Sequence, residues 1–192
     1  MVLEVVTHLE QLREVALDQH GYVTTAQALD LGVPQAELSK MVRRGRLDRV
    51  AHGVYQVPQV AASQYDPYML AVLWTGAPEA CLSHDTALQA WEISDINPDR
   101  IHVTVAKKRR IARRGGEGYV LHHHDLAPDQ VTWWQQIPIT TVPTTIAQCI
   151  EYGVPTYLIK QALERAGQTS LLPKKRRAEL ADKLQERDYG GS

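Results

Sequence analysis

Phenylalanine is absent from the 192 residues, and cysteine occurs only twice, at Cys81 and Cys149. No Cys-x-x-Cys pair exists, which argues against a disulfide framework and against a zinc knuckle. No apolar run reaches about 18 residues, so no segment is expected to span a membrane. The N-terminus lacks a basic flank followed by an apolar run, the pattern of a signal peptide. We therefore expect a reducing, cytoplasmic location. The large aromatic anchors of the core are predicted to be the four tryptophans, Trp74, Trp91, Trp133 and Trp134.

The sequence also lacks the short motifs of common enzyme classes. It contains no G-x-S-x-G, no P-loop, no H-E-x-x-H and no G-x-G-x-x-G. A restriction-type nuclease needs an aspartate and then Glu-x-Lys on adjacent strands, and no Glu-x-Lys follows a predicted strand. We therefore predict no catalytic residue, no cofactor and no metal site.

Residues 21–58 carry the most informative pattern of the chain. Thr24 and Gln27 form a Thr-x-x-Gln capping box for a helix that ends at Gly32. Pro34 fits the start of a second helix, which ends at Gly45. Two apolar-periodic runs then flank a turn at residues 51–53, as in a strand–turn–strand wing. The segment is predicted to be a winged helix-turn-helix, in which the second helix enters the major groove of DNA.

Charge is balanced overall, at −1, but it is unevenly placed. Residues 34–57 hold five Lys or Arg against two acids, a local charge of +3, while acids collect in the first predicted helix. Basic side chains suit phosphates or guanine edges, glutamine suits adenine, and serine suits either. The predicted DNA-contacting residues are Gln35, Ser39, Lys40, Arg43, Arg44, Arg46 and Arg49.

The rest of the chain mixes short strands with helices irregularly, which favours an α+β fold over a βαβ repeat. A first helix is predicted over residues 4–20. Further helices are predicted over residues 66–74, 83–91, 144–152, 155–166 and 174–187, and strands over 101–105, 119–123, 132–136 and 139–142, with Pro138 interrupting the last two strands. We therefore predict a winged helix-turn-helix domain at residues 1–60 and a mixed α+β domain at residues 64–188.

Two further clusters leave alternatives open. The run from Lys107 to Arg114 has six positive charges in eight residues, which fits a solvated, mobile loop or a contact to nucleic acid or to a partner's phosphate-bearing surface. His122, His123 and His124 could include two metal ligands on one strand face, or be surface and wall residues. Metal sites need three or four ligands, and the others are not evident.

The chain resembles the AbiEi-family antitoxins of type IV toxin–antitoxin systems. The resemblance is carried by HGYVTTAQALDLGVPQAELSKMVRRGRLDRVAHGVYQVP and then, in the family's order, by CLSHDTALQAWEI, IHVTV, a basic loop, LHHHDL and IPITTVPTTIAQCI. It implies an autoregulator that binds inverted repeats in double-stranded DNA upstream of its own operon. It also implies that the C-terminal domain counteracts a cognate nucleotidyltransferase toxin. Ala51-His52, where family wings often carry basic residues, departs from the pattern.

We therefore expect a cytoplasmic antitoxin and repressor that is a monomer when free and pairs on DNA. Two alternatives remain at this stage. One is a transcription factor whose second domain senses a ligand or dimerises. The other is a nucleic-acid-processing enzyme that uses the histidine cluster.

Overall fold

The computed structural model describes residues 7–190. This part of the chain contains eight α-helices, one 3₁₀ turn and two sheets, so the predicted α+β class is confirmed. The chain divides into two compact units. The first comprises Met1–Pro78, Arg110–Gly115 and Gln135–Ile137, and the second comprises Glu79–Arg109, Gly116–Trp134 and Pro138–Ser192.

The first unit contains the predicted helix-turn-helix and wing. Its helices are α1 (His8–Leu17), α2 (Thr25–Asp30), α3 (Gln35–Arg43) and α4 (Asp66–Trp74). Its antiparallel sheet has the order β1–β3–β2, with β1 at Tyr22–Thr24, β2 at Asp48–Ala51 and β3 at Val54–Gln56. Three-residue β1 is not predicted from the sequence, because so short a run shows no alternation. The predicted start of the first helix lies outside the described residues.

Local sequence signals explain the helix ends in this unit. Thr24 and Gln27 form the predicted capping box, with the Gln27 amide N–H donating to the Thr24 hydroxyl. After α2, Gly32 has a φ of 77°, and the Val33 amide donates to the Ala28 carbonyl at 2.8 Å. This pattern is a Schellman motif, which stops the helix and starts the turn toward α3. The α2 and α3 faces that point inward bury Ala28, Leu38 and Met41 in the apolar core of the unit.

The second unit combines a five-stranded sheet with four helices. The sheet has the order β6–β5–β4–β8–β7; β5 and β6 pair in parallel, β4 and β5 antiparallel. Its strands are β4 (Cys81–Leu82), β5 (Ile101–Val105), β6 (Tyr119–His123), β7 (Val131–Trp134) and β8 (Ile137–Thr140). Its helices are α5 (His84–Ala90), α6 (Val142–Tyr152), α7 (Thr156–Gly167) and α8 (Lys174–Tyr189), and Pro128–Gln130 forms the 3₁₀ turn. These helices share one apolar core, which includes Ile146, Ile159 and Leu180.

Two sequence expectations about β7, β8 and the turn between them are wrong. Pro138 does not separate two strands: it lies inside β8, and the chain turns instead at Gln135 and Gln136, whose φ angles are 48° and 63°. β8 lies between β4 and β7 in the sheet, and its pairing with β4 joins Leu82 to Ile139, the residue after Pro138. Trp133 is not a core anchor, since its side chain on the edge strand β7 is 70% exposed. Trp74 is buried as expected.

Candidate nucleic-acid interface

The helix α3 presents one apolar and one polar face, and its position follows from its ends. Pro34 is the N-cap rather than the first helical residue, with a ψ of 153° that directs the chain into the helix. Gly45, at a φ of 65°, ends the helix, and the Arg46 amide donates to the Met41 carbonyl at 2.9 Å in a second Schellman motif. Leu38 and Met41 are buried and Val42 packs against the same core, whereas Gln35, Ser39, Lys40 and Arg43 of α3 are exposed.

All seven residues predicted to contact DNA are exposed. They are Gln35, Ser39, Lys40, Arg43, Arg44, Arg46 and Arg49. Two of them have partners on α3 itself: the Ser39 hydroxyl donates to the Gln35 carbonyl at 3.0 Å, and the Lys40 ammonium lies 3.4 Å from a Glu37 carboxylate oxygen. An exposed pair three residues apart on a helix is weak, so Lys40 is easily released to another anion.

The four predicted DNA-contacting arginines have free guanidinium groups in the part of the chain that the structure describes. Within residues 7–190, no hydrogen bond or ion pair involves the guanidinium groups of Arg43, Arg44, Arg46 or Arg49. A guanidinium group carries five N–H donors and a permanent positive charge. These four groups are therefore open to acceptors from another molecule.

The wing is a short hairpin with an exposed outer strand. Arg49 of β2 pairs with Tyr55 of β3, and an irregularity in register follows between Arg49 and Ala51. The turn residue Gly53 has a φ of 69°, and its carbonyl accepts a hydrogen bond at 2.9 Å from the Thr25 amide at the start of α2. This bond fixes the wing turn to the helix-turn-helix.

The basic run from Lys107 to Arg114 is not simply a solvated loop. Arg109 donates to both carboxylate oxygens of Glu79, at 2.9 and 2.7 Å, and this bond lowers the pKa of Glu79. Arg113 instead donates to two main-chain carbonyls of the first unit, those of His52 at 2.9 Å and Trp74 at 2.8 Å. Two of the six cations in this loop are therefore held by hydrogen bonds within the protein.

The histidine cluster of the second unit is composed differently from the predicted one. His84 of α5 stacks on His122 of β6, with ring centroids 3.5 Å apart, and His122 Nε2 lies 3.1 Å from His102 Nδ1 on β5. Tyr152 of α6 meets all three rings edge-on. His124 is exposed and follows the end of β6. His102 and Tyr152 were not predicted to belong to the cluster. His102 reaches it through the parallel pairing of β5 with β6, which no local sequence pattern shows.

Burial controls the protonation of this cluster. It lowers the pKa of His84 to about 2 and that of His122 to about 4, with further lowering from the neighbouring imidazoles. Burial also lowers the pKa of His102, which the charge of Asp85 opposes. The rings are therefore neutral at pH 7. In the described part of the chain, no group of three or more His, Cys, Asp or Glu is arranged to hold a metal ion.

The N-terminal segment is similar to a known protein family. Residues 10–58 match the family of AbiEi antitoxin transcriptional regulators. The match runs from α1 to the end of the wing, so it covers the elements that carry all seven predicted DNA contacts. The match confirms the resemblance over residues 10–58.

Comparison with solved structures supports the fold of the whole chain. The chain is similar to the crystal structure of the RV2827C protein from Mycobacterium tuberculosis, with a TM-score of 0.52 and 18% sequence identity. The similarity covers 96% of this chain and 78% of that one. No curated protein sequence matches the chain. Among residues 7–190, no helix is long and apolar enough to cross a membrane.

Proposed function

We propose that this protein is a cytoplasmic type IV antitoxin that represses its own operon. Residues 1–60 are the DNA-binding domain in this proposal, and residues 64–188 are the domain that counteracts a nucleotidyltransferase toxin. One observation carries the DNA-binding part: four exposed arginines, which have no hydrogen-bond or ion-pair partner among residues 7–190, lie at the end of α3, in the link that follows it and on the wing. All four belong to the segment that matches AbiEi transcriptional regulators. No catalytic residue and no cofactor are assigned.

The proposed division of labour follows the chemistry of each side chain. Gln35 is the first residue of α3, and the N-terminal residues of a recognition helix are those that contact base edges. We assign Gln35 to an adenine edge and Ser39 to a phosphate or base. Lys40 and the four arginines are assigned to phosphates and guanine edges. Repression is steric, because α3 and the wing on the promoter exclude polymerase.

The salt dependence of binding follows from the number of phosphates that are neutralised. About five phosphate contacts give a slope near −4 to −5 in a plot of log affinity against log salt concentration. One such module covers only about 600–1,000 Å², so strong specificity requires two copies on an inverted repeat.

The first experiment tests DNA binding. The double substitution Arg43→Ala with Arg44→Ala is expected to weaken binding to a duplex from the region upstream of the protein's own gene. The loss is about 1–3 kcal/mol for each base or charged contact. A gel-shift titration at fixed salt measures it, with Lys174→Ala plus Lys175→Ala as a control that removes the same charge from exposed residues of α8. Unchanged affinity in the Arg43 and Arg44 variant contradicts the assignment.

The second experiment tests toxin antagonism separately from repression. The proposal requires a nucleotidyltransferase gene beside this one, and the product of that neighbouring gene is expressed from an unrelated promoter, with and without this protein. Growth rescue by the wild type and equally by the Arg43→Ala, Arg44→Ala variant is expected, because antagonism is assigned to residues 64–188. DNA binding without rescue favours a transcription factor whose second domain senses a ligand or dimerises.

A further inference from the structure

A short segment of the basic run returns to the first unit. Arg110–Gly115 belongs to that unit, together with the helix-turn-helix, the wing and α4. Its sequence is RIARRG, with three arginines and no acid. We call residues 110–115 the arginine segment.

Three hydrogen bonds hold the arginine segment in place. Arg113 Nη1 donates to the carbonyl of His52, in the turn of the wing, and to the carbonyl of Trp74, the last residue of α4. In return, the Trp74 indole N–H donates to the Arg114 carbonyl at 2.9 Å. The segment is thus attached both to the wing turn and to the end of α4.

Gly76 makes room for this attachment. Its φ is 66°, and a Cβ added there would overlap the guanidinium group of Arg113. The close approach leaves Arg113 half-buried against backbone rather than extended into solvent. A guanidinium packed in this way is a positioning group for the residues on either side of it.

The charge of the arginine segment is not neutralised. Arg113 is bonded to neutral carbonyls, not to a carboxylate, so its positive charge remains. Arg110 and Arg114 are exposed, and within residues 7–190 their guanidinium groups make no ion pair and no hydrogen bond. The positive charge of Arg109, by contrast, is offset by the carboxylate of Glu79, to which it donates two hydrogen bonds.

We propose that the arginine segment is a second DNA contact beside the wing, with Arg110 and Arg114 binding backbone phosphates and Arg113 positioning them. The inference rests on the proposed DNA-binding function. The wing itself carries Ala51-His52 before its glycine, and within its turn it has no permanent positive charge. The arginine segment supplies that charge from another part of the chain. Phosphate contacts position a protein without reading sequence, so its contribution is to affinity and not to base discrimination.

The test compares three double variants on two duplexes. The duplexes are the region upstream of the protein's own gene and a scrambled sequence of equal length, each titrated over a range of salt concentrations. Arg110→Ala with Arg114→Ala is expected to make the salt slope shallower by about 1 for each arginine on both duplexes. The ratio of the two affinities stays the same, because no base contact is lost. Within residues 7–190 neither side chain has a hydrogen bond or ion pair to lose, so the variant is expected to keep the wild-type melting temperature.

The two remaining variants separate the possible failures. Arg43→Ala with Arg44→Ala tests the proposed function, and Lys174→Ala with Lys175→Ala removes two charges elsewhere. An unchanged slope in the Arg110 and Arg114 variant, when the Arg43 and Arg44 variant is weakened, overturns the inference alone. An equal change in the Lys174 and Lys175 control also overturns it, since the effect is then one of total charge. Failure of the wild type to bind either duplex overturns both the inference and the proposed function.

Discussion

Arg109 and Arg113 lie four positions apart in one basic run, yet their guanidinium groups are used differently. Arg109 donates to both oxygens of a carboxylate, which offsets its charge, whereas Arg113 donates to main-chain carbonyls and stays positive. The sequence shows six equivalent cations in this run. Only the identity of each acceptor separates structural cations from those that are available to a ligand.

Gly76 offers a test of the Arg113 contact at the scale of a residue. Gly76→Ala is expected to lower the free energy of unfolding through its left-handed φ, by about 1–2 kcal/mol, and further through overlap with the guanidinium group. Gly32→Ala is the matched control, because Gly32 has a φ of 77° and no atom within 4 Å of the added Cβ. Urea denaturation measures both variants.

A double-mutant cycle isolates the overlap from the backbone cost. In an Arg113→Ala background, Gly76→Ala is expected to cost no more than Gly32→Ala does, because the obstructing group is gone. Equal destabilisation by the two glycine variants in the wild-type background would contradict the close packing of Arg113 on Gly76.

At the scale of elements, the histidine cluster joins two helices to two strands of the second unit. α5 supplies His84, β5 supplies His102, β6 supplies His122 and α6 supplies Tyr152. Their stacking holds only while the rings are neutral, since protonation would place positive charges in contact in a buried site. The cluster therefore links the packing of these four elements to pH.

The free energy of unfolding is expected to fall as the pH is lowered from 6.5 toward 4. A histidine of the unfolded chain has the ordinary pKa of 6.5 and binds a proton in this pH window. His122 in the folded protein has a pKa of about 4 and stays neutral there. The unfolded state is then favoured by mass action. His84, with a pKa of about 2, also lowers the free energy of unfolding as the pH falls, and its effect extends to lower pH than that of His122. Asp85 acts oppositely, because burial raises its pKa.

A variant separates the histidine contribution from that of Asp85. Urea denaturation at several pH values between 7.5 and 4.5 is expected to show a weaker pH dependence for His122→Asn than for the wild type. His124→Asn is the control, since His124 is exposed. Because Asp85 is present in all three proteins, its contribution cancels in the differences. Identical pH dependence in the His122→Asn variant and the wild type would contradict a contribution of His122 to the pH dependence of stability.

At the scale of the whole molecule, assembly is expected to depend on DNA. We expect a monomer of 21.6 kDa in free solution and two copies on one duplex that carries the inverted repeat. Light scattering after size exclusion measures both masses, and a scrambled duplex of equal length is the control. A free protein of twice the monomer mass would show instead that dimers exist before they meet DNA.

Much of the first unit was predictable because its signals are local. The Thr24 capping box, the glycines after α2 and α3, and the apolar residues Leu38 and Met41 all act within a few residues of the elements they define. The exposure of Arg43 on α3 follows directly from that periodicity, whereas Arg44 and Arg46 come after the helix and Arg49 lies on β2. The same reasoning failed at Pro138, since whether a strand tolerates proline depends on the pairing of its neighbour.

The sequence by itself thus determined the helix-turn-helix, its wing and the set of exposed basic residues on them, because capping, turn chemistry and helical periodicity are short-range. Only the tertiary structure decided which cations stay free and which histidines meet. Arg113 finds its acceptors 61 and 39 residues away, and His122 meets His102 through the parallel pairing of β5 with β6. Contacts at such separations arise when the chain folds, and no local pattern encodes them.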